Sequence, residues 1–375
     1  GGAGAFSDGK LTTQIKERGN RCRKVLEELA AAGAPPEILY LHKPHIGTDQ
    51  LVQVVAALRE KIVALGGTVR FEACVTRLDV RGGAVRGVVL HDGERIETRR
   101  LILATGHSAR DTVAMLHGLG VPLQAKSFSI GARIEHLQGL VDRAQYGMDE
   151  RPPVLGPADY KLAHHCRNGR SVYTFCMCPG GEVIAAASEE GGVVTNWMSV
   201  YKRNAPNANA AVLVGIGPDD FSGAGPLAGV AFQRRWEAAA YTLGGGAFHA
   251  PAQRLEDFLR GRASVRFGDV APSYRPGVTP ADLAHCLPDF AVAAMREALP
   301  AFGQALRGFD LPDAVLTGVE TRSSSPVRVV RGDACESVGI AGVYPAGEGA
   351  GYAGGIMSAA VDGLRVAEAV AVHNV

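Results

Sequence analysis

Residues 342–363 have the sequence GVYPAGEGAGYAGGIMSAAVDG, in which a short apolar run is followed by a glycine-rich loop. The pattern predicts a strand over 340–344, a loop over 345–355 and a helix over 356–372. Small residues allow backbone N–H groups to approach a ligand closely, and a helix N-terminus adds partial positive charge. The stretch is therefore typical of a site for phosphate or another electron-rich group, although glycines in a tight turn can also serve packing alone.

A second strand and turn are predicted upstream of this loop. The run LILA at 101–104 is continuously apolar, which favours the buried middle of a parallel sheet. It breaks at Thr105-Gly106 and follows three short strands predicted over 74–80, 84–91 and 94–98. A strand that ends in Thr-Gly is common in α/β proteins, so the information lies in its order relative to the late glycine loop.

The chain opens with GGAGAFSDGK at 1–10. Its glycines are permissive and its polar side chains could surround a pyrophosphate, whereas the alternative is a frayed terminus. The first methionine is Met115. We therefore expect a segment upstream of Gly1.

The middle of the chain differs in character from both ends. Strands are predicted over 127–134, 171–178 and 182–187, the last two joined as a hairpin through Pro179-Gly180-Gly181. Helices are predicted over 20–32, 48–65, 228–242, 252–260 and 280–306. These patterns predict an α/β fold with an inserted mixed-sheet substrate domain over 125–314, flanked by a discontinuous domain over 1–124 and 315–375.

Composition excludes several classes of protein. Lys and Arg number 39 against 38 Asp and Glu, so a duplex-binding surface is not expected. The seven cysteines are odd in number and scattered, which indicates a reducing, cytoplasmic environment. No apolar run approaches the roughly 20 residues of a membrane span, so no membrane partner is expected.

Several separated stretches together resemble a known family. They are GGAGAFSDGKLTT at 1–13, HIGTDQL at 45–51, LILATGHSARD at 101–111, TFCMCPGGEV at 174–183, VVTNWMS at 193–199, ETRSSSPVR at 320–328 and the stretch at 342–363. The chain resembles the uncharacterised FAD-dependent dehydrogenases of the glutathione-reductase-like flavoprotein superfamily. The resemblance implies a Rossmann-like FAD/NAD(P)-binding domain into which the substrate domain is inserted.

The resemblance also implies roles for individual residues. Gly347 and Glu348 would lie by the ribityl phosphate, and Gly354, Gly355 and Ile356 would meet the pyrimidine edge of the flavin. The adenosine side would meet Ala104, Thr105 and Gly106, and Val75 would offer its backbone to adenine. The remaining residues expected to bind the cofactor lie in the opening segment and the late loop: Gly2, Ala3, Gly4, Ser7, Asp8, Lys10 and Gly349.

One departure from the family pattern is large. Family members begin with a βαβ unit that carries G-x-G-x-x-G and an acidic residue for the ribose, and no such motif follows a strand at the front of this chain. We expect that unit to lie upstream of Gly1. Without it, FAD would be held less tightly and a sheet edge would be exposed.

Few residues are candidates for direct chemistry. Cys176 and Cys178 are two residues apart on a predicted strand, so their side chains would point to the same face. They could form a redox pair or be two small core side chains. Free cysteines are usually core side chains, which favours the second alternative. His107 could donate to a phosphate or relay a proton, or simply cap a helix, and His45 has the same two readings. Asn196 and Arg322 are candidates for the substrate pocket.

Other polar residues have weaker claims. Arg328 could pair with a carboxylate, although arginine flanking a strand is usually solvated. The run His164-His165-Cys166 lacks a second ligand group at zinc-finger spacing, so no metal is expected.

These observations predict an FAD-dependent oxidoreductase that passes a hydride through the flavin to or from a small molecule, with NAD(P)H as a candidate donor. A non-catalytic or truncated flavoprotein-like module that cannot hold FAD tightly is the alternative. An RNA-modifying flavoenzyme is disfavoured by the near-neutral charge. The pattern leaves the oligomeric state and the identity of the substrate open.

Overall fold

The computed structural model describes residues 7–17 and 19–372. Within these ranges there are eight α-helices: α1 (Arg21–Ala31), α2 (Thr48–Ala64), α3 (Arg110–Gly118), α4 (Gln138–Tyr146), α5 (Ala228–Leu243), α6 (Leu255–Arg260), α7 (Asp289–Ala305) and α8 (Ile356–Val372). None of them combines the length and the apolar content that crossing a bilayer requires.

The same ranges contain sixteen strands. They are β1 (Val75–Arg81), β2 (Ala84–Leu90), β3 (Arg95–Glu97), β4 (Leu101–Leu103), β5 (Leu123–Ala125), β6 (Phe128–Leu137), β7 (Ala163–His165), β8 (Ser171–Cys178), β9 (Glu182–Ala185), β10 (Thr195–Met198), β11 (Asn207–Ile216), β12 (Ala250–Arg254), β13 (Val278–Pro280), β14 (Val315–Glu320), β15 (Val327–Val329) and β16 (Val343–Pro345). The fold is a mixed α/β fold, as the sequence predicts.

The largest element is a seven-stranded mixed sheet in the order β13-β12-β14-β6-β11-β8-β7. Its two faces differ because successive side chains of a strand point to opposite sides. One face carries Ile130, Ala132 and Ile134 of β6, which belong to the same buried cluster as Met295 and Leu299 of α7. This apolar face supplies the main core.

The opposite face of the sheet is unusually polar. On β6 it carries Ser129, Arg133 and Glu135, and the register places Thr317 of β14 and Asn209 of β11 directly beside them. All five residues are buried. Arg133 and Glu135 are hydrogen-bonded to neighbouring side chains, whereas Thr317 Oγ1 has no partner within the described residues. A hydrogen-bond network therefore specifies most of this face.

A smaller unit combines both ends of the chain. β16 pairs in parallel with β4, and β1, β2 and β3 form an antiparallel sheet beside them. The prediction that 101–104 is a buried central strand is wrong. Ile102 is 42% exposed, because β4 pairs with β16 alone within the described residues. This leaves one edge of β4 open.

Three other predictions require correction. The predicted hairpin of 171–178 with 182–187 does not form, since β8 pairs with β7 and β11 while β9 pairs with β10. The helix predicted over 252–260 is split between the strand β12 and the short helix α6. The helix predicted over 280–306 begins only at Asp289, which follows Pro288 at its N-cap.

The predicted domain division stays a prediction, but one boundary has a clear structural setting. Residue 315 begins β14, which pairs with β6 and β12 in the middle of the seven-stranded sheet. The segment 315–320 is therefore continuous with the sheet that the division assigns to the substrate domain.

Candidate functional site

A groove of about 430 Å³ lies at the start of α8. Its lining comes from three separated parts of the chain: Thr13, Gln14 and Ile15 from the opening segment, Lys126 and Arg328 beside the paired strands β5 and β15, and Gly351, Tyr352, Ala353, Gly354 and Ser358 from the late loop and α8. The glycine loop that the sequence singles out therefore borders an open groove.

Two glycines precede α8 and place no side chain over the groove, and the Gly354 N–H donates to Ser358 Oγ at 3.2 Å. Gly354 and Gly355 are exposed, and a Cβ added at either would meet nothing within 4 Å. Ile356, also exposed, is the first residue of α8. The N–H groups of a helix's first turn have no partner within the helix, so this end of the groove favours an electron-rich ligand.

Two cations border the same groove. Lys126 donates to Ser324 Oγ at 3.5 Å, and the Arg328 guanidinium stacks on the Tyr352 ring at 5.3 Å. Within the described residues neither forms a salt bridge. Burial and the neighbouring Arg328 charge lower the pKa of Lys126, whereas Glu348 opposes the shift. An anionic group in the groove would relieve this repulsion.

A buried ion pair between Arg331 and Asp362 contacts the glycine loop and holds it in place. Arg331 Nη1 lies 3.0 Å from Asp362 Oδ2, and Arg331 also stacks on Tyr352 at 3.7 Å. Asp362 Oδ2 accepts the Gly347 N–H at 2.8 Å. That N–H is therefore already satisfied within the protein, so Gly347 serves to anchor the loop.

The Thr-Gly turn after β4 contacts the same loop directly. A Cβ on Gly349 would lie 2.3 Å from the Gly106 carbonyl oxygen, so only glycine allows this approach. His107 Nδ1 lies 2.9 Å from Glu348 Oε1, while the buried His107 Nε2 has no hydrogen-bond partner in the part of the chain that the structure describes. The structure thus brings His107 and Glu348, two separately predicted residues, into one contact.

The opening segment connects the groove to the polar face of the sheet. Asp8 is fully buried, where it accepts from Ser199 Oγ at 2.6 Å and from Arg203 Nη2 at 2.8 Å. Lys10 donates to the carbonyl oxygen of Met177, and the Ser7 carbonyl accepts from Thr48 Oγ1 at 2.7 Å. The predicted residues Gly2, Ala3 and Gly4 lie outside the described residues.

Where the segment crosses the polar face, a row of aromatic side chains is partly open to solvent. Phe175 lies edge-on to Tyr173 at 6.5 Å and to Trp197 at 6.3 Å. Arg133, buried beneath, stacks on Trp197 at 5.0 Å and contacts Glu320 Oε2 at 3.3 Å. We call Tyr173, Phe175, Trp197, Arg133 and Glu320 the aromatic wall.

Burial changes the acidity of groups at this wall. It raises the pKa of Glu320, against the opposing effect of Arg133, and it raises the pKa of Tyr173. Burial favours the neutral form of a carboxyl group, whereas a neighbouring guanidinium favours the ionised form. The wall therefore combines aromatic surface with a buried carboxyl group whose pKa is raised.

Cys176 lies at an irregularity of β8 beside this wall. The register of β8 with β11 shifts between Phe175 and Cys178, and Cys176 has a φ of 43°. The strict alternation on which the shared-face prediction rests is therefore interrupted. Burial raises the pKa of the Cys176 thiol to about 12 and also raises that of Cys178, which disfavours the thiolates that redox chemistry requires.

Other predicted residues lie away from the groove lining. Val75 begins β1 and is half-buried, whereas Ala104 and Thr105 are exposed after β4. Asn196 accepts the Trp197 N–H through Oδ1 at 2.9 Å, beside the aromatic wall. His45 Nε2 contacts the Tyr201 carbonyl at 3.0 Å, and burial lowers its pKa.

Arg322 belongs to a different cluster. Its Nη2 lies 2.9 Å from Glu237 Oε2, which also contacts Arg110 Nη1 at 2.9 Å. Because both Arg110 and Glu237 are buried, Arg322 joins a structural ion cluster and does not line the groove. A separate groove of about 310 Å³ borders this cluster and includes Glu189.

Sequence reasoning missed Lys126, Arg133, Tyr173 and Glu320. Arginine, glutamate and tyrosine in strands are usually solvated on one face, so their positions alone carry no strong signal. An available sign was the alternation in β6, where Ser129, Arg133 and Glu135 interleave with apolar residues. That alternation predicts a polar face, but it does not indicate that the face is buried.

Two protein-family models match the chain. The model described as "FAD-dependent protein, C-terminal domain-like" matches residues 127–323, and the model described as "FAD dependent oxidoreductase" matches residues 14–200. A Clostridium beijerinckii protein of uncharacterised function is 50% identical over 369 residues, which is 98% of this chain and 69% of that protein. The first of these models spans more than half of the chain, so the chain belongs to the family of FAD-dependent proteins that it describes.

Solved structures resemble this flavoprotein only distantly. An oxidoreductase from Methanosarcina mazei is 12% identical with a TM-score of 0.33, over 85% of this chain and 54% of that chain. E. coli quinol fumarate reductase FrdA is 13% identical with a TM-score of 0.40, over 99% and 63%. The flavin-dependent brominase Bmp2 is 12% identical with a TM-score of 0.39, over 98% and 72%. The chain thus spans about half the length of the Methanosarcina protein.

Proposed function

We propose that this chain carries the flavin end and the substrate pocket of an FAD-dependent dehydrogenase that acts on a small molecule. The observation that carries the proposal is the groove at the start of α8, which combines the exposed glycines Gly354 and Gly355 with two cations, Lys126 and Arg328, that form no salt bridge within the described residues. The match of residues 14–200 to the FAD dependent oxidoreductase model supports the same proposal.

The groove fits the flavin ring by its chemistry. The pyrimidine edge of a flavin is rich in acceptor atoms, which the N–H groups at the start of α8 would meet. Lys126 and Arg328 would stabilise negative charge at that edge. The exposed Gly354 and Gly355 have no Cβ, so backbone can approach the ring closely. Glu348 Oε1 lies 2.9 Å from His107 Nδ1, and this carboxylate would accept hydrogen bonds from the hydroxyl groups of the ribityl chain.

For the substrate we propose the aromatic wall. The opening segment passes from Asp8 and Lys10 beside this wall to Thr13 and Ile15 in the groove, so one segment borders both sites. Aromatic edges and faces favour an apolar, planar ligand. The wall would therefore accept a small conjugated or ring-containing molecule.

The flavin itself would supply the hydride chemistry when bound. The protein's residues would position both partners and manage the proton. Glu320, whose pKa burial raises, is the group that we propose to hold that proton at its carboxyl oxygen. The Tyr173 hydroxyl lies 2.7 Å from Ser129 Oγ, and this hydrogen bond would fix the position of the Tyr173 ring in the aromatic wall.

Partners and location follow from the composition. We propose a small-molecule substrate and not a nucleic acid, because the formal net charge is only +1. We further propose NAD(P)H as the electron donor and the cytoplasm as the location. Anaerobic mixing with NADH or NADPH, followed at the flavin absorption band, would test the donor.

The first experiment is a titration of the purified chain with FAD and, separately, with riboflavin, followed by flavin fluorescence. We expect saturable binding of both, since the groove would hold the ring and not the nucleotide. Gly354→Glu should weaken both by roughly tenfold or more, because the new carboxylate enters the groove beside the cations, equivalent to at least about 1.4 kcal/mol.

The matched control is Gly363→Glu, the same substitution inside α8, the helix that begins two residues after Gly354. A Cβ at Gly363 also meets nothing within 4 Å, but this position lies outside the groove lining. Equal weakening by both variants, or FAD binding without riboflavin binding, would place the flavin elsewhere and contradict the proposal.

A further inference from the structure

A cluster of three metal-ligating side chains lies far from the groove lining. His164 and Cys166 come from the edge strand β7 and the turn after it, and Glu297 comes from α7. Their ligand atoms all lie within 4.8 Å of one another. Cys166 is buried, whereas His164 and Glu297 are half-buried, so the cluster opens to solvent on one side.

The spacing of the three atoms is close to that of a bound metal. Around tetrahedral zinc, with ligand bonds of about 2.0–2.3 Å, ligand atoms lie about 3.3–3.8 Å apart. His164 Nε2 and Glu297 Oε1 already lie 3.5 Å apart. A modest rotation of the Glu297 side chain, which is 29% exposed, would complete the approach to the Cys166 sulfur.

Existing contacts at the cluster are weak enough to yield to a metal. The Cys166 thiol donates to the Ala294 carbonyl at 3.5 Å. Glu297 Oε1 accepts the Arg167 N–H at 3.0 Å, and the Arg167 side chain is 94% exposed. A carboxylate oxygen has more than one lone pair, so Glu297 Oε1 can face the metal and still accept the Arg167 N–H.

We propose that His164, Cys166 and Glu297 bind one Zn²⁺ ion, with water as the fourth ligand. Thiolate and imidazole favour Zn²⁺ over Mg²⁺ and Ca²⁺, which prefer oxygen ligands alone. On binding, the thiol proton of Cys166 leaves to the buffer and the sulfur–zinc bond forms. The ion would fasten the edge strand β7 to α7.

The test is a zinc titration of metal-stripped protein against a chromophoric chelator, with Mg²⁺ as a comparison ion. We expect one Zn²⁺ per chain and no competition from Mg²⁺. Cys166→Ser should weaken binding by roughly 100-fold, since loss of even an outer-shell partner costs 10–100-fold. Substitution with Co²⁺ should give a thiolate charge-transfer band that Cys166→Ser abolishes.

Glu297→Gln keeps the proposal testable if Cys166→Ser fails to fold, because Glu297 is half-exposed and its change leaves the core intact. Two control variants should bind zinc normally: His165→Ala, whose ring contacts Ser171 Oγ at 2.9 Å, and Cys74→Ser, which removes an exposed thiol. Zinc binding that is lost with Cys74→Ser, or unchanged in both Cys166→Ser and Glu297→Gln, would overturn the assignment.

Discussion

At the scale of single residues, Gly349 lies close against Gly106, which brings the late glycine loop into contact with the Thr-Gly turn. A methyl group on Gly349 would meet the Gly106 carbonyl oxygen at 2.3 Å, whereas one on Gly354 would meet nothing within 4 Å. The sequence marks both glycines equally. Only the structure separates the one that packs from the one that faces the groove.

This difference leads to a paired prediction. Gly349→Ala should destabilise the fold by about 1–3 kcal/mol, because the added carbon forces the turns apart. It should also weaken flavin binding. Gly354→Ala should leave the free energy of unfolding within about 0.5 kcal/mol of the wild type. Urea denaturation compares the two, and equal stability would show that the turns adjust freely.

Residue-level reasoning from sequence located the glycine loop and Thr105-Gly106, but it could not locate Arg133 or Glu320. Both are buried charged side chains, and sequence statistics place such residues at the surface. They are buried because each partners the other at 3.3 Å across two strands. β6 and β14 are neighbours in the sheet but far apart in the sequence, so their pairing leaves no local signal in the sequence.

At the scale of elements, α8 does more than present its N-terminus. Through Asp362 it holds Gly347 and Arg331, so the helix and the loop before it form one braced unit. Burial raises the pKa of Asp362, but the Arg331 and Gly347 contacts outweigh it and the net pKa is lowered. The brace is therefore fully formed near neutral pH and is lost as the pH falls through the lowered pKa.

We expect Asp362→Asn to loosen this unit, because the buried Arg331 then lacks a countercharge. Hydrogen exchange should speed up at residues 346–352 at pH 7, and flavin binding should weaken by about tenfold, or about 1.4 kcal/mol. Asp333→Asn, on the exposed turn before β16, is the control and should change neither. Unchanged exchange in Asp362→Asn would mean that the loop is held by other contacts.

The prediction of helices succeeded where the hydrophobic periodicity was strong. The prediction of strand pairs failed where the choice of partner strand determined the structure. The helices α1, α2, α5 and α8 begin within a residue or two of their predicted starts. The hairpin of β8 with β9 fails because β11, which the sequence did not identify, pairs with β8 instead. Partner choice depends on the whole sheet, so the turn at 179–181 was not sufficient evidence.

At the scale of the whole molecule, one ion cluster joins the two predicted domains. Arg110 lies on α3, Glu237 lies on α5, and Arg322 follows β14. Arg110 Nη2 lies 2.7 Å from Glu237 Oε1, and Thr321 Oγ1 donates to the same oxygen at 2.7 Å. Because three distant segments share one buried carboxylate, the cluster fixes how the parts of the chain pack.

The cluster sets a pH dependence of stability. Burial of Glu237 opposes ionisation, but Arg322 and Arg110 lower its pKa to about 2. A lowered pKa means that this contribution is present above the unfolded-state value of about 4.3 and is lost as the pH falls toward 2. The urea midpoint should therefore fall between about pH 5 and pH 2.

Glu237→Gln tests whether this ion cluster causes the pH dependence of stability. At pH 7 it should cost about 3–5 kcal/mol, since two buried guanidinium groups lose their countercharge. The remaining pH dependence below pH 5 should be shallower. Glu190 is exposed at the edge of the groove of about 310 Å³ that Glu237 also lines. Glu190→Gln should therefore keep the pH profile of the wild type. Parallel pH profiles for Glu237→Gln and the wild type would show that other carboxylates control acid sensitivity.

The burial of Asp8 has a consequence for how the chain is made. Its partners Ser199 and Arg203 follow it by 191 and 195 residues. At about 5–20 residues per second, a ribosome needs roughly 10–40 s to add that length. For that time the Asp8 carboxylate lacks both side-chain partners and the opening segment can pair only with residues 44–48, so a chaperone that holds extended segments would have an opportunity to bind here.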